Sequence, residues 1–239
     1  MKTITQVCVV TVLAAGLQLA VAGDITGTIT LKGTPPPEKE ITDIKTDVNC
    51  GKLHTAPVKT RFYVVGANGA LADVFVTLKG ISGKSTGASA APLMIDQKGC
   101  EYIPYVAACQ TGQKIQVKNS DPVLHNVHPT PANTAAGNKE VNQAQMAGGA
   151  DLTFVFPAPE NFLRFKCDVH PWMFSYVNVV DHPFFAVSGA DGKFSIKNVP
   201  PGKYTVVAMH RKAAPAPGVE KEIEVTADGA KLDLTLEAK

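Results

Sequence analysis

The sequence predicts an all-β fold, and three observations carry that reading. Short segments alternate apolar and polar residues, as in Ile25-Thr26-Gly27-Thr28-Ile29-Thr30-Leu31, Lys114-Ile115-Gln116-Val117-Lys118 and Leu232-Asp233-Leu234-Thr235-Leu236. A period of two is the mark of a half-buried strand. The chain also holds 20 glycines and 17 prolines, many of them between those segments, where turns are needed. Finally, no long stretch repeats its apolar residues with the helical period of about 3.6.

Taken in order, the chain opens on a targeting signal, residues 1–22. Lys2 supplies the positive start, Val7 to Ala22 is almost wholly apolar, and Ala20-Val21-Ala22 is a small-x-small cleavage site. The mature chain is expected to begin at Gly23 and to be periplasmic or otherwise exported, with no membrane span once the signal is removed. Residues 25–31 form the first strand, ended by Gly33 to Pro37. Residues 38–60 are polar and broken and show no period. Arg61 to Val65 and Val74 to Leu78 read as two strands around the turn Gly66-Ala67-Asn68-Gly69. Gly80 to Ala91, rich in Gly, Ser and Ala, reads as a linker and a domain boundary.

A new set of strands follows: one starting at Met94, then Tyr102 to Val106 and Lys114 to Lys118 around the Thr111-Gly112 turn. Pro129 to Gly149 lacks a period and reads as a surface loop. Leu152 to Phe156, Phe162 to Cys167 and Tyr176 to Val180 are the next strands. After Asp191-Gly192, a strong turn signal, come Lys193 to Ile196, the turn Val199-Pro200-Pro201-Gly202, Tyr204 to Ala208, Glu222 to Val225 and Leu232 to Leu236.

Lys and Arg number 23 against 21 Asp and Glu, a formal charge of +2. That near balance gives no basic face for nucleic acid. Of five cysteines, Cys8 leaves with the signal. The remaining four, Cys50, Cys100, Cys109 and Cys167, allow three full pairings in an oxidising compartment. Cys50 with Cys100 is favoured, since both lie in Gly-rich turns. Cys109 then reads as a buried free thiol, and a Cys109–Cys167 bond without any metal stays as the rival.

The chemistry concentrates in Cys167-Asp168-Val169-His170-Pro171-Trp172-Met173, a C-x-x-H-x-x-M run, with His125-Asn126-Val127-His128 upstream. Two imidazoles, one thiolate and a weak thioether are the donor set of a mononuclear blue-copper centre. A strand that delivers the thiol into a tight loop carrying two more donors lets them converge at small loop-closure cost. A lone cysteine in the ligand loop argues against a binuclear copper centre. The absence of His-x-His pairs argues against a trinuclear cluster. No Ser-His-Asp set or phosphate-cradling loop is evident, so the chain is not read as an enzyme.

His-Asn-Val-His followed by C-x-x-H-P-aromatic-M resembles the cupredoxin family, its amicyanin and plastocyanin branch above all, over residues 93–181. The resemblance implies a Greek-key β-sandwich with one copper ion held by His125, Cys167 and His170, and axially by Met173. Asn126 would tie the two ligand segments together. Pro171 and Trp172 would flank His170, whose ring edge is expected to face solvent as an electron port. Exchange partners would be redox proteins such as a periplasmic dehydrogenase and a c-type cytochrome. His128 is expected on the face of His125 but roughly 7 Å farther along the strand. His54, His182 and His210 are isolated and expected to be structural or on the surface.

The run D-G-x-F-x-I-x-x-V-P-P-G-x-Y-T-V from Asp191 to Val206 resembles the carboxypeptidase regulatory-like, or transthyretin-like, β-sandwich, covering residues 183–239. Residues 23–80 supply strands of the kind that open such a domain. The copper segment is therefore expected as an insertion between Leu78 and Phe184; three segments in series is the alternative. Two functional rivals to an electron carrier stand beside it: a copper storage or delivery protein, and a metal-free scaffold or adhesion module.

Overall fold

The computed structural model describes residues 21–239. The targeting signal therefore lies almost wholly outside the described residues. Among those described, one short α-helix, Thr42–Thr46, and a few 3-10 turns accompany a chain otherwise built of strands and loops. No described helix is long and apolar enough to cross a membrane.

The strands form four sheets, packed as two sandwiches. In the first, Gly23–Lys32 lies antiparallel to Lys193–Val199 and parallel to Ala230–Lys231 and Leu234–Glu237. The facing sheet runs Phe185–Val187, Phe75–Leu78, Gly202–Met209, Val219–Val225. Ile25, Ile29, Ile196 and Leu236 from one sheet meet Val76, Leu78, Val206 and Val225 from the other, all buried. The alternation of residues 25–31 has this cause: the odd positions enter the core and Thr26, Thr28 and Thr30 do not. The Asp191-Gly192 turn also has a local reason. Gly192 has φ +72°, and a Cβ there would stand 2.5 Å from the Ile29 carbonyl oxygen.

The second sandwich lies between these chain segments. Its larger sheet runs Val106–Gln110, Phe174–Val180, Glu160–Lys166, His125–Thr130, Gln143–Gln145. Its smaller sheet runs Tyr102–Ile103, Leu93–Gln97, Ile115–Asn119, Leu152–Phe154. Val127, Phe165, Val177 and Val179 pack on Ile95, Ile115, Val117 and Phe154. The early strands Gly23–Lys32 and Phe75–Leu78 thus pair with the C-terminal strands and not with the second sandwich. Phe75, Val207 and Met209 of the first sandwich and Val180 of the second share a small apolar cluster.

Three local readings change. Arg61 to Val65 is not a strand: its backbone is irregular, with a single bridge from Val65 to Leu71. The Tyr63 hydroxyl instead donates to the Lys212 carbonyl. Residues 80–91 are not a loose linker. Gly83 N–H donates to Asp181, the Ser85 hydroxyl to the Thr111 carbonyl and Thr86 N–H to Gln110. Residues 129–149 are not all loop. The His125–Thr130 strand runs into them and pairs with Gln143–Gln145. Gln145 is buried and bonds to Gln97 and the Val117 carbonyl. A strand of polar residues satisfied by buried amides shows no apolar period, which is why the pattern hid it.

Residues 38–60 form a cover over one end of the second sandwich. Its base is closed by backbone bonds, Ile41 N–H to the Val58 carbonyl (2.9 Å) and Thr60 N–H to the Lys39 carbonyl (2.8 Å). Its tip is joined to the sandwich by the Cys50–Cys100 disulfide and by His54 Nε2, 2.7 Å from the Gly99 carbonyl. Ile44 is buried in the same core as Cys167 and Met173.

Candidate metal centre

Antiparallel pairing of Glu160–Lys166 with His125–Thr130 brings the C-terminal end of one strand beside the N-terminal end of the other. Cys167 follows the first strand and His125 opens the second. The loop after Cys167 folds back on itself: Met173 N–H donates to the His170 carbonyl and Cys167 N–H to the Met173 carbonyl. His170 is thereby returned to the thiol that precedes it.

The result is a compact donor set. One ligand atom each from His125, Cys167 and His170 lies within 4.8 Å of the others. His125 Nδ1 is 2.9 Å from His170 Nδ1, and Cys167 Sγ is 3.6 Å from His170 Nδ1. All three residues are buried, and so is Met173, which packs in the same cluster. Imidazole and thiolate donors bind a transition metal at about 2.0–2.3 Å, and donors that close to one ion stand about this far from each other. The set therefore fits a single soft or borderline ion.

The surroundings orient the donors. His125 Nε2 faces the Asp121 carboxylate at 2.9 Å. That carboxylate accepts N–H bonds from Gly99 (2.6 Å) and Cys100 (2.7 Å). With the Nε2 proton held by Asp121, the Nδ1 lone pair of His125 is left to face the centre. Asn126 joins the two ligand segments: its N–H donates to Cys167 Sγ (3.4 Å), and its side-chain oxygen accepts from Asp168 N–H (2.6 Å). The Trp172 indole N–H donates to the Cys100 carbonyl, and its ring centroid is 5.2 Å from that of His170. Pro171, on the same loop, is exposed.

Electrostatics prepare the thiol. Burial pushes the Cys167 pKa up, but hydrogen bonds from His125, His170 and the Asn126 amide outweigh it and bring it down to about 6. The opposite holds for Cys109, which burial alone pushes up to about 12. Cys109 and Cys167 are separate, buried free thiols in the structure. The His125 pKa is raised: burial lowers it, and the Asp121 and Cys167 interactions exceed that.

Two expectations are corrected. His170 does not show its edge to solvent. It is 6% exposed, and Cys50 and Cys100 Sγ lie within 4.8 Å of it, at the tip of the cover. His128 does not share a face with His125. It stands three positions on, an odd step, which on a strand reverses the side. Its ring lies between Asp168 (2.6 Å) and Glu140 (2.7 Å), away from the donor set. His54 pins the cover, while His182 and His210 are buried elsewhere. Asp121 was not singled out from the sequence. Its signal was present: a carboxylate four positions before a ligand histidine, in Asn119-Ser120-Asp121-Pro122.

No protein-family model matches the chain, and no curated protein matches it. Among solved structures, a copper-containing nitrite reductase from Thermus scotoductus SA-01 aligns at 16% identity and TM-score 0.33, covering 43% of this chain and 25% of that one. A purple cupredoxin from Nitrosopumilus maritimus aligns at 21% and 0.30, over 36% of this chain and 98% of its own. An oxidised proline-to-alanine variant of amicyanin aligns at 18% and 0.33, over 44% and 97%.

Proposed function

We propose that the chain is an exported carrier of single electrons, whose His125, Cys167 and His170 side chains would hold one copper ion, with the thioether of Met173 as a further, weaker donor. The supporting observation is the convergence of two imidazole nitrogens and a low-pKa thiol in one buried pocket. Copper bound there would supply one-electron chemistry, cycling between Cu(II) and Cu(I). The protein's own part is positional. Strand ends fix His125 and Cys167, the Asp121 carboxylate sets the His125 tautomer, and the Asn126 bridge holds the ligand loop. The surrounding side chains leave the donor residues almost no exposed surface. A site held this stiffly changes little between the two metal states. Redox proteins of the same compartment, such as a dehydrogenase and a c-type cytochrome, fit as partners.

Loading the mature protein with Cu(II) tests this. The carrier predicts one copper per chain and an intense thiolate-to-copper band in the visible, lost in Cys167→Ser with the β fold retained. The burial of His170 under the cover favours a second reading, copper storage or delivery. That reading predicts tight Cu(I) binding with no such band on adding Cu(II) and slow electron exchange.

A further inference from the structure

Between the cover and the ligand loop lies a cavity of about 320 Å³. Phe62, Tyr105, Trp172, Met173 and Phe174 line it. Two of these belong to the ligand loop: Met173 is the thioether candidate, and the Trp172 ring stands next to the His170 ring. A small ligand in this space reaches the metal centre's own loop. His170 itself is 6% exposed, with the Cys50 and Cys100 sulfurs within 4.8 Å of it.

The walls indicate the ligand's chemistry. Four aromatic rings and a thioether favour a flat apolar body. The rim alternates in charge, with Lys39, Lys59 and Arg61 against Glu40, Asp43 and Glu101, so no net charge on the ligand is selected. Arg61 is engaged by Glu101 at 3.2 Å and lies over the Tyr105 ring, so it stiffens the wall. The carboxylates of Glu40 and Asp43 are acceptors suited to hydroxyl protons. The volume falls within the range of small-molecule sites.

We propose that this cavity binds an uncharged, planar aromatic alcohol of the phenol or hydroquinone class, which serves as the electron donor to the centre. The donor role rests on the copper reading above; the binding does not. In each exchange one hydroquinone O–H bond breaks: its electron would reduce Cu(II) to Cu(I), its proton goes to a rim carboxylate or water, and a neutral semiquinone leaves, two of which disproportionate to one quinone and one hydroquinone.

The test begins on the metal-free mature protein with its disulfide intact. The chain has a single tryptophan, so Trp172 gives one indole N–H resonance in a 15N-correlated spectrum. Trimethylhydroquinone, added under argon, is expected to shift that resonance saturably. Cyclohexane-1,4-diol, not planar, and benzoate, charged, are expected to bind at least tenfold more weakly. Thr42→Phe, which fills the cavity from the exposed start of the cover helix, is expected to weaken binding tenfold or more. Phe62→Ala, which removes a wall, is expected to weaken it several-fold. No saturable shift at millimolar ligand, equal binding of the non-planar diol, or unchanged binding in both variants overturns the site. The second arm mixes Cu(II)-loaded protein with trimethylhydroquinone. Bleaching whose rate saturates at the same ligand concentration supports the donor role; a rate linear in ligand throughout overturns it. Absence of the visible band would defeat the copper reading and leave the binding arm intact.

Discussion

Removing the Cys50–Cys100 disulfide, as the double variant Cys50→Ala with Cys100→Ala, tests what holds the cover over the centre. The bond spans 50 positions. Cross-linking a loop of that length removes about 14 cal/mol/K of entropy from the unfolded chain, or about 4 kcal/mol at 25 °C. Non-covalent ties remain at the tip: the His54–Gly99 bond, the burial of Ile44 and the Asp47 carboxylate accepting from the Asn49 and Cys50 amides. The closed base of the cover is untouched. The variant is therefore expected to fold, with its second sandwich less stable by about 4 kcal/mol. Urea unfolding followed by Trp172 fluorescence reads that sandwich alone, since the only tryptophan lies there. His54→Ala is the control and is expected to cost about 1 kcal/mol, one hydrogen bond. Diethyl pyrocarbonate should modify His170 faster in the double variant, because the tip no longer stays over it. A double variant within about 1 kcal/mol of the parent, with His170 equally protected, would refute the view that the disulfide secures the cover.

Asp121→Asn keeps the shape but removes the charge facing His125 Nε2; copper affinity, measured by competition with a chelator, should fall about 10- to 100-fold. Met173→Leu should keep copper and raise the reduction potential, since the axial thioether tunes it; voltammetry showing no change would take Met173 out of the site. In the metal-free protein the Cys167 thiol, moved from 9.0 to about 6, should be protonated at pH 5 and ionised at pH 7.5, read by ultraviolet thiolate absorbance against Cys167→Ser. The sign follows from linkage: an acid with a depressed folded pKa favours the folded state above the unfolded pKa. That contribution is lost as the pH falls from about 9 through about 6. Stability of the metal-free protein that did not fall relative to Cys167→Ser over that window would contradict the environment assigned to the thiol.

The donor set was legible because its residue types are rare and its spacing is local. Cys167, His170 and Met173 sit in one seven-residue run, and a strand pattern on each side says where that run turns. His125 needed only a second segment with the right side chain. The strands of the first sandwich were legible for a similar reason: odd positions from Ile25 to Leu31 face one core. The cover was not legible. Residues 38–60 have no period, because their place is set by a covalent bond to Cys100 and by Ile44, with Ile41 and Val58 packed partly buried beside the same core. His170 therefore looked exposed from its loop, although distant residues bury it. His128 was misplaced by a local error of parity, since three steps along a strand change the face. The Gln143–Gln145 strand was missed because it is held by buried amides that carry no hydrophobic signal.

X-ray absorption at the copper edge of the loaded mature protein most directly tests whether His125, Cys167 and His170 share one ion. The account predicts one short sulfur and two nitrogen neighbours around a single copper. The sulfur should be lost in Cys167→Ser, and one nitrogen in each of His125→Ala and His170→Ala. A spectrum without a short sulfur neighbour, or one unchanged by His125→Ala, would contradict it.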